Sequence, residues 1–296
     1  MITIATKAEM HAHTVSARAA GRRVGLVPTM GAFHAGHHAL MQAAREACDE
    51  VVVSLFVNPA QFDEASDLAA YPRTVERDAA EAKALGVDVL FAPAVEEVYP
   101  PGFSTSVRVE GLSDVLEGAE RGPGHFAGVC TVVAKLFNVV APDVAFFGQK
   151  DAQQVAVLRR MVADLDLPVA LEVVPTVREP DGLAMSSRNV RLDAGERERA
   201  IALSHALRGA GDALGEGERD AAALREAALA AMARYAVEPE YLALVDPDSF
   251  QPVSTVNGRV LVAVAARVGE TRLIDNALFQ TRGGDPEGAS TITKEP

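Results

Sequence analysis

The chain has 296 residues, 49% of them hydrophobic, enough for one large core or two ordinary ones. Its 41 Asp and Glu against 28 Lys and Arg leave a formal charge of −13, which excludes a broad basic face for nucleic acid or anionic lipid. Cys48 and Cys130 stand far apart in apolar, helix-like stretches and read as reduced core thiols, and the N-terminus MITIATKAEMHAH lacks the pattern of a leader. With no run of about 18 consecutive apolar residues either, a cytoplasmic protein with neither nucleic-acid nor membrane partners is expected.

In chain order, apolar runs VGLV, VVVSLFV, VDVLFAP, VAFFG and VALEVVP alternate with helix-like stretches between residue 24 and about residue 175. Such alternation predicts an open, mostly parallel α/β sheet with helices on both faces. The Gly- and Pro-rich segment 99–127 interrupts it, with a short strand expected at STSVRV. Beyond residue 176, two Ala/Glu/Arg-rich helices near 194–214 and 219–236 precede strand-like YLALVDP, RVLVAVAARV and TRLIDNALF. The spacing therefore predicts a first domain over 1–176, a smaller C-terminal α+β lid domain over 177–280, and a disordered tail over 281–296.

Ligands of open parallel sheets bind at the carboxyl ends of the strands. The loops that follow the predicted strands are PTMGAFHAGH, NPAQF, GQKDAQQ and TVREPDGLAMSSR. They direct His34, His37, Gln61, Lys150, Asp151, Gln154, Ser186, Ser187 and Arg188 toward one edge. His34 and His37 fall on one face of a helix's first turn, where free N–H groups favour anions, and Gly36 keeps the space between them clear. Lys150 adds a compact cation, and MSSR adds two hydroxyls and a guanidinium fork, a set suited to polyphosphate. Singly, each has a structural explanation. The histidines suit a helix surface or half a zinc site without a third ligand, Lys150 and Asp151 a surface ion pair, Gln61 a turn, and MSSR a capped helix start. Four loops on one edge favour a site. Neither GxxxxGK[ST] nor GxGxxG follows the first strand, so ATP chemistry requires another cradle.

HAGH resembles the histidine-glycine-histidine signature of the superfamily that joins class I aminoacyl-tRNA synthetases with nucleotidylyltransferases. The wider set PTMGAFHAGH, FVNPAQF, YPRT, GHFAGVCTVVAKLFN, FFGQKDAQQ and PTVREPDGLAMSSRN resembles the pantoate–β-alanine ligase family from about residue 20 to residue 280. The resemblance implies a Rossmann-like fold and a homodimer. It also implies a two-step reaction, in which the carboxylate of pantoate attacks the α-phosphorus of Mg–ATP and the amine of β-alanine then attacks the resulting acyl adenylate.

Carried over by position, Met30, Gly31, Ala32, Phe33, His34, Ala35, Gly36 and His37 would line the ATP site, with His34 and His37 at the phosphates and His37 as proton donor. Gly148, Gln149, Lys150 and Asp151 would also contact ATP, Lys150 at its phosphates and Asp151 near the ribose. Val177 would meet the adenine, and Met185, Ser186, Ser187 and Arg188 would form a mobile phosphate-gripping loop. Gln61 and Gln154 would hold pantoate, Gln61 also lying near β-alanine, and Asp78 is a candidate to associate with Mg2+. Gln149 departs from the family pattern, standing where glutamate is common. The principal rival is a nucleotidylyltransferase of the same superfamily acting on another small acceptor; the second domain and the two glutamines argue against it.

Overall fold

The computed structural model describes residues 1–62 and 65–281, and the chain divides into two compact units, Met1–Val174 and a second beginning at Pro175. The strands of the first are β1 (Ile2–Ile4), β2 (Val24–Thr29), β3 (Glu50–Leu55), β4 (Val89–Phe91), β5 (Val144–Gly148) and β6 (Ala170–Val174). All pair in parallel, in the order β1-β4-β3-β2-β5-β6. The helices between them are α1 (Lys7–Ala19), α2 (Ala35–Ala47), α3 (Ala65–Ala70), α4 (Val75–Ala84), α5 (Val95–Val98), α6 (Glu117–Arg121), α7 (Pro123–Val140) and α8 (Ala152–Asp164).

Period-two alternation along the strands feeds two cores. Val24, Leu26, Val52, Phe91 and Phe147 join residues of α1, α7 and α8 on one face. Val27, Val51, Val53, Leu90 and Phe146 join residues of α2 and α4 on the other. By length and composition α7 is apolar enough to cross a membrane, but most of it is buried as the central helix of the first core. Cys130 lies within it, and burial pushes that thiol up to about 12. Cys48 is buried just after α2 and its thiol is also raised by burial, so both cysteines are free core thiols.

The sheet reverses its order at β2. There β3 and β4 lie on one side, and β5 and β6 on the other. While β2 pairs with β3 along six residues, it meets β5 only at Gly25 and Leu26, so β2 and β5 part toward their carboxyl ends. Pro28 fits that parting. The carbonyl of Thr29 accepts from Phe56 on the β3 side, so alternation turns the nitrogen of Pro28 toward β5, where no ladder bond is made.

The second unit holds α9 (Ala194–Ala200), α10 (Ala202–Gly215) and α11 (Ala221–Ala233), followed by an antiparallel sheet of β7 (Pro239–Val245), β8 (Arg259–Val268) and β9 (Thr271–Gln280). Residues of α10, α11 and the sheet share its core.

Three expectations change. β1 and α1 precede the first expected strand. STSVRV is irregular backbone rather than a strand: Val107 N–H donates to the Thr131 hydroxyl at 2.9 Å, and Val109 is buried in the α7 core. The helix expected near 194–214 is two, divided at Ile201. Residues 282–296, the bulk of the expected tail, lie outside the described residues.

Candidate active site

After β2 the chain turns through Gly31 (φ 85°) and Ala32 (φ 53°), both left-handed. A Cβ at Gly31 would stand 2.9 Å from Asp78 Oδ2 and 3.0 Å from Leu55, so the turn requires glycine on two counts. Asp78, fully buried in the first turn of α4, holds this loop. Its carboxylate accepts from Ala32 N–H at 2.8 Å and Phe33 N–H at 3.0 Å, and the Thr74 hydroxyl lies 3.0 Å from both oxygens. The carboxylate expected to associate with Mg2+ is, in this structure, an internal clamp whose two oxygens accept these bonds.

His34 is the N-cap of α2, its Nδ1 accepting from Gly36 N–H at 3.1 Å. That contact places the neutral ring's proton on Nε2. His37, one turn on, stacks obliquely on His34 with ring centroids 4.2 Å apart and on Phe33 at 5.5 Å. Burial, with Lys150 and His38 adding positive charge, lowers His34 to about 4. Burial, followed by His34, His38 and Lys150, lowers His37 to about 3. His37 Nδ1 is buried without a hydrogen-bond partner among the described residues, which further disfavours an imidazolium needing two acceptors. The unliganded pair is therefore neutral at pH 7. The next residue, His38, points elsewhere: its Nε2 lies 2.8 Å from Glu81 on α4.

β5 delivers Gly148, then Gln149, Lys150 and Asp151 in a 3-10 turn that leads into α8. Lys150 Nζ is 3.6 Å from Asp151 Oδ1, and its charge acts on both histidines. The turns after β2 and β5, the strands flanking the switch point, thus supply one cluster of a lysine and two neutral imidazoles. The two glutamines of KDAQQ diverge. Gln153 is buried and pins the 112–117 segment through Leu112 O, Val115 O and Glu117 N–H. Gln154 is half-buried on the first turn of α8, and its side chain makes no hydrogen bond among the described residues.

Gln61 ends the 3-10 turn Pro59–Gln61 after β3, its Nε2 3.0 Å from Met30 Sδ. The turn rests on residues that sequence reasoning passed over. Asn58 caps it, Tyr99 hydrogen-bonds Asn58, His125 Nδ1 meets Gln61 O at 2.9 Å, and Gly128 lets α7 approach closely. The one available signal was Asn58 before Pro59, an N-cap followed by proline at the first helical position.

In the second unit, residues 177–185 form a small hairpin: Met185 N–H donates to Val177 O at 2.9 Å and Arg178 bridges to Ala184. Arg178 grips the buried Asp275 of β9 with two contacts, at 2.6 and 2.9 Å. Ser186 Oγ accepts from Arg188 N–H at 3.2 Å, so this serine also shapes the turn, and Asn189 ties it to Glu179 at 2.8 Å. Ser187 and Arg188 are half-buried beside it.

Among the described residues no group of three or more His, Cys, Asp or Glu is arranged to hold a metal ion. The cluster in the first unit has the chemistry of a polyphosphate site: a helix N-terminus, a lysine and two imidazoles able to gain charge.

A family profile described as pantoate-beta-alanine ligase matches residues 2–278. The chain is 51% identical to pantothenate synthetase of Pelotomaculum thermopropionicum over 94% of this chain and 99% of that protein. It is 55% identical to that of Heliobacterium modesticaldum over 88% and 92%. The crystal structure of the Thermus thermophilus enzyme superposes with a TM-score of 0.88 at 48% identity, covering 93% of this chain and 98% of the other. That of the Francisella tularensis ligase, complexed with β-γ ATP and β-alanine, gives 0.78 at 33% identity, covering 94% and 97%. With a profile spanning nearly the whole chain, relatives at half identity and a shared fold in agreement, the chain belongs to the pantoate–β-alanine ligase family.

Proposed function

We propose that the protein condenses pantoate with β-alanine to give pantothenate, AMP and pyrophosphate. The observation that carries this reading is the neutral His34–His37 pair at the start of α2 beside Lys150, at the sheet's switch point, in a chain of this family. A pantoate carboxylate oxygen attacks the α-phosphorus, and the bond to the bridging oxygen of pyrophosphate breaks. The amine of β-alanine then attacks the acyl carbon, AMP leaves and the amine loses a proton. Both steps develop negative charge on phosphate oxygens, which Lys150 and the imidazole N–H groups stabilise.

Within this reading, Met30 to His37 and Gly148 to Asp151 bind ATP, with Lys150, His34 and His37 at its phosphates. Gln61 and Gln154 hold pantoate. Val177 is assigned to the adenine, and Met185, Ser186, Ser187 and Arg188 to gripping the phosphates. Magnesium enters as the ion of the Mg–ATP substrate, consistent with a clamped Asp78. On family resemblance the enzyme is assigned to the cytoplasm as a homodimer.

The test is AMP and pyrophosphate formation by purified protein with Mg–ATP, pantoate and β-alanine, each omitted in turn. Pantoate-dependent pyrophosphate, with AMP and pantothenate appearing in equal amounts once β-alanine is added, is the expected result. Absence of pantoate-dependent pyrophosphate would return the histidine pair to the nucleotidylyltransferase reading.

A further inference from the structure

Beneath the FVNPAQF turn lies a hydrogen-bond chain with a fixed direction. Asn58 is 1% exposed, and main chain fixes both ends of its amide. Its Oδ1 receives Ala60 N–H at 3.3 Å and its Nδ2 donates to Gly128 O at 3.1 Å. Those contacts admit one orientation of the carboxamide. The Tyr99 phenol sits 2.8 Å from Oδ1, an atom that only accepts, so the phenol donates. The second hydrogen of Nδ2 goes to Gln61 Oε1 at 3.0 Å. Gln61 therefore spends its acceptor inward and keeps its NH2 turned toward Met30 of the ATP-site loop, where the nearest partner is a thioether sulfur, a weak acceptor.

We propose that Tyr99 is a positioning residue that, through Asn58, holds Gln61 as a hydrogen-bond donor toward the substrate acid, selecting an acid that offers acceptor oxygens at that place. This rests on the ligase reading, in which Gln61 holds pantoate. Tyr99 suits the role because its ring is fixed and its proton is permanent. It packs on Phe56 and Phe103 with centroids 6.2 and 5.1 Å away, and the Lys135 ammonium lies 4.4 Å over Phe103. Burial pushes the phenol up to about 12, so it donates at every working pH.

Tyr99→Phe keeps the ring and deletes the donor. Loss of one neutral hydrogen bond in the chain is expected to raise the pantoate KM about threefold to tenfold, leaving the ATP KM within about twofold and kcat changed less than the pantoate KM. Folding by circular dichroism stays like wild type, and the rise is the same at about pH 7 and about pH 9, since the phenol does not titrate between them. In a Gln61→Ala background, Tyr99→Phe adds no further rise, because the chain it supports is already cut. A pantoate KM within about twofold of wild type, an equal rise in the ATP KM, or full additivity overturns the proposal. Should Tyr99→Phe fail to fold, Asn58→Asp carries the test: its carboxylate draws the Gln61 NH2 inward, and an unmoved pantoate KM overturns the proposal. Wild-type protein without pantoate-dependent pyrophosphate overturns the ligase reading itself, whereas wild-type turnover with an unmoved Tyr99→Phe overturns only the hydrogen-bond chain.

Discussion

Neither inner nitrogen of the His34–His37 pair takes a proton without cost. Protonating His34 on Nδ1 would delete its cap on Gly36, and a proton on His37 Nδ1 would be buried without an acceptor among the described residues. Polyphosphate beside the pair favours the imidazolium, so ATP binding at about pH 6 is expected to take up protons at the pair. Titration calorimetry in two buffers of different ionisation enthalpy measures this, and His37→Gln should reduce the uptake. In the unliganded protein the sign for stability follows from the same shifts. The unfolded chain protonates these residues near 6.5 and the folded one only near 4 and 3, so stability present above about 6.5 is lost as pH falls toward 3. Urea midpoints between about pH 7 and about pH 5 should fall, less steeply in His37→Gln. Asp78→Asn replaces a charged acceptor of two main-chain N–H groups and should cost about 1.5–3 kcal/mol of stability. The magnesium concentration giving half-maximal rate should not move, which separates a clamp from a metal ligand.

Gly128 is where one element is set against another. A Cβ there would lie 2.2 Å from Ala60 O and 2.8 Å from Gln61 N, so Gly128→Ala must displace either α7 or the turn that carries Gln61. The expected result is about 1–3 kcal/mol of lost stability, read by thermal unfolding, with pantoate binding weakened more than ATP binding. At this scale the sequence was legible where side chains repeat with the period of the element. The five expected strands of the first sheet each overlap an observed one, because buried parallel strands are nearly continuous apolar runs. β1 has only three residues, and α1 buries Met10, Thr14 and Ala17, too mixed a set to stand out as an apolar stripe. STSVRV alternates like a strand, but its N–H partner is a threonine hydroxyl on α7, a tertiary fact. The same blindness applied to Asp78, Asn58 and Tyr99, whose meaning lies in atoms far along the chain: the main chain of the 32–33 turn, Gly128 O and the Asn58 amide.

For the whole molecule, the residues proposed for the site divide between the units: the histidines, Lys150, Gln61 and Gln154 lie in the first, and Val177 with Met185–Arg188 in the second. Because the first unit has its own two cores, residues 1–174 expressed alone are expected to unfold cooperatively yet form no pyrophosphate. Calorimetry and the pyrophosphate assay check the two halves of that statement. The common edge of the first unit's loops was foreseeable, since topology assigns every strand-to-helix turn of a parallel sheet to one side. The parting of β2 from β5 was not, although the residue that permits it stands in the sequence. Having no N–H, Pro28 cannot donate a ladder hydrogen bond to β5. The two strands are thus held apart at that end by composition, and under the proposed function an arriving nucleotide does not have to separate them before it can settle.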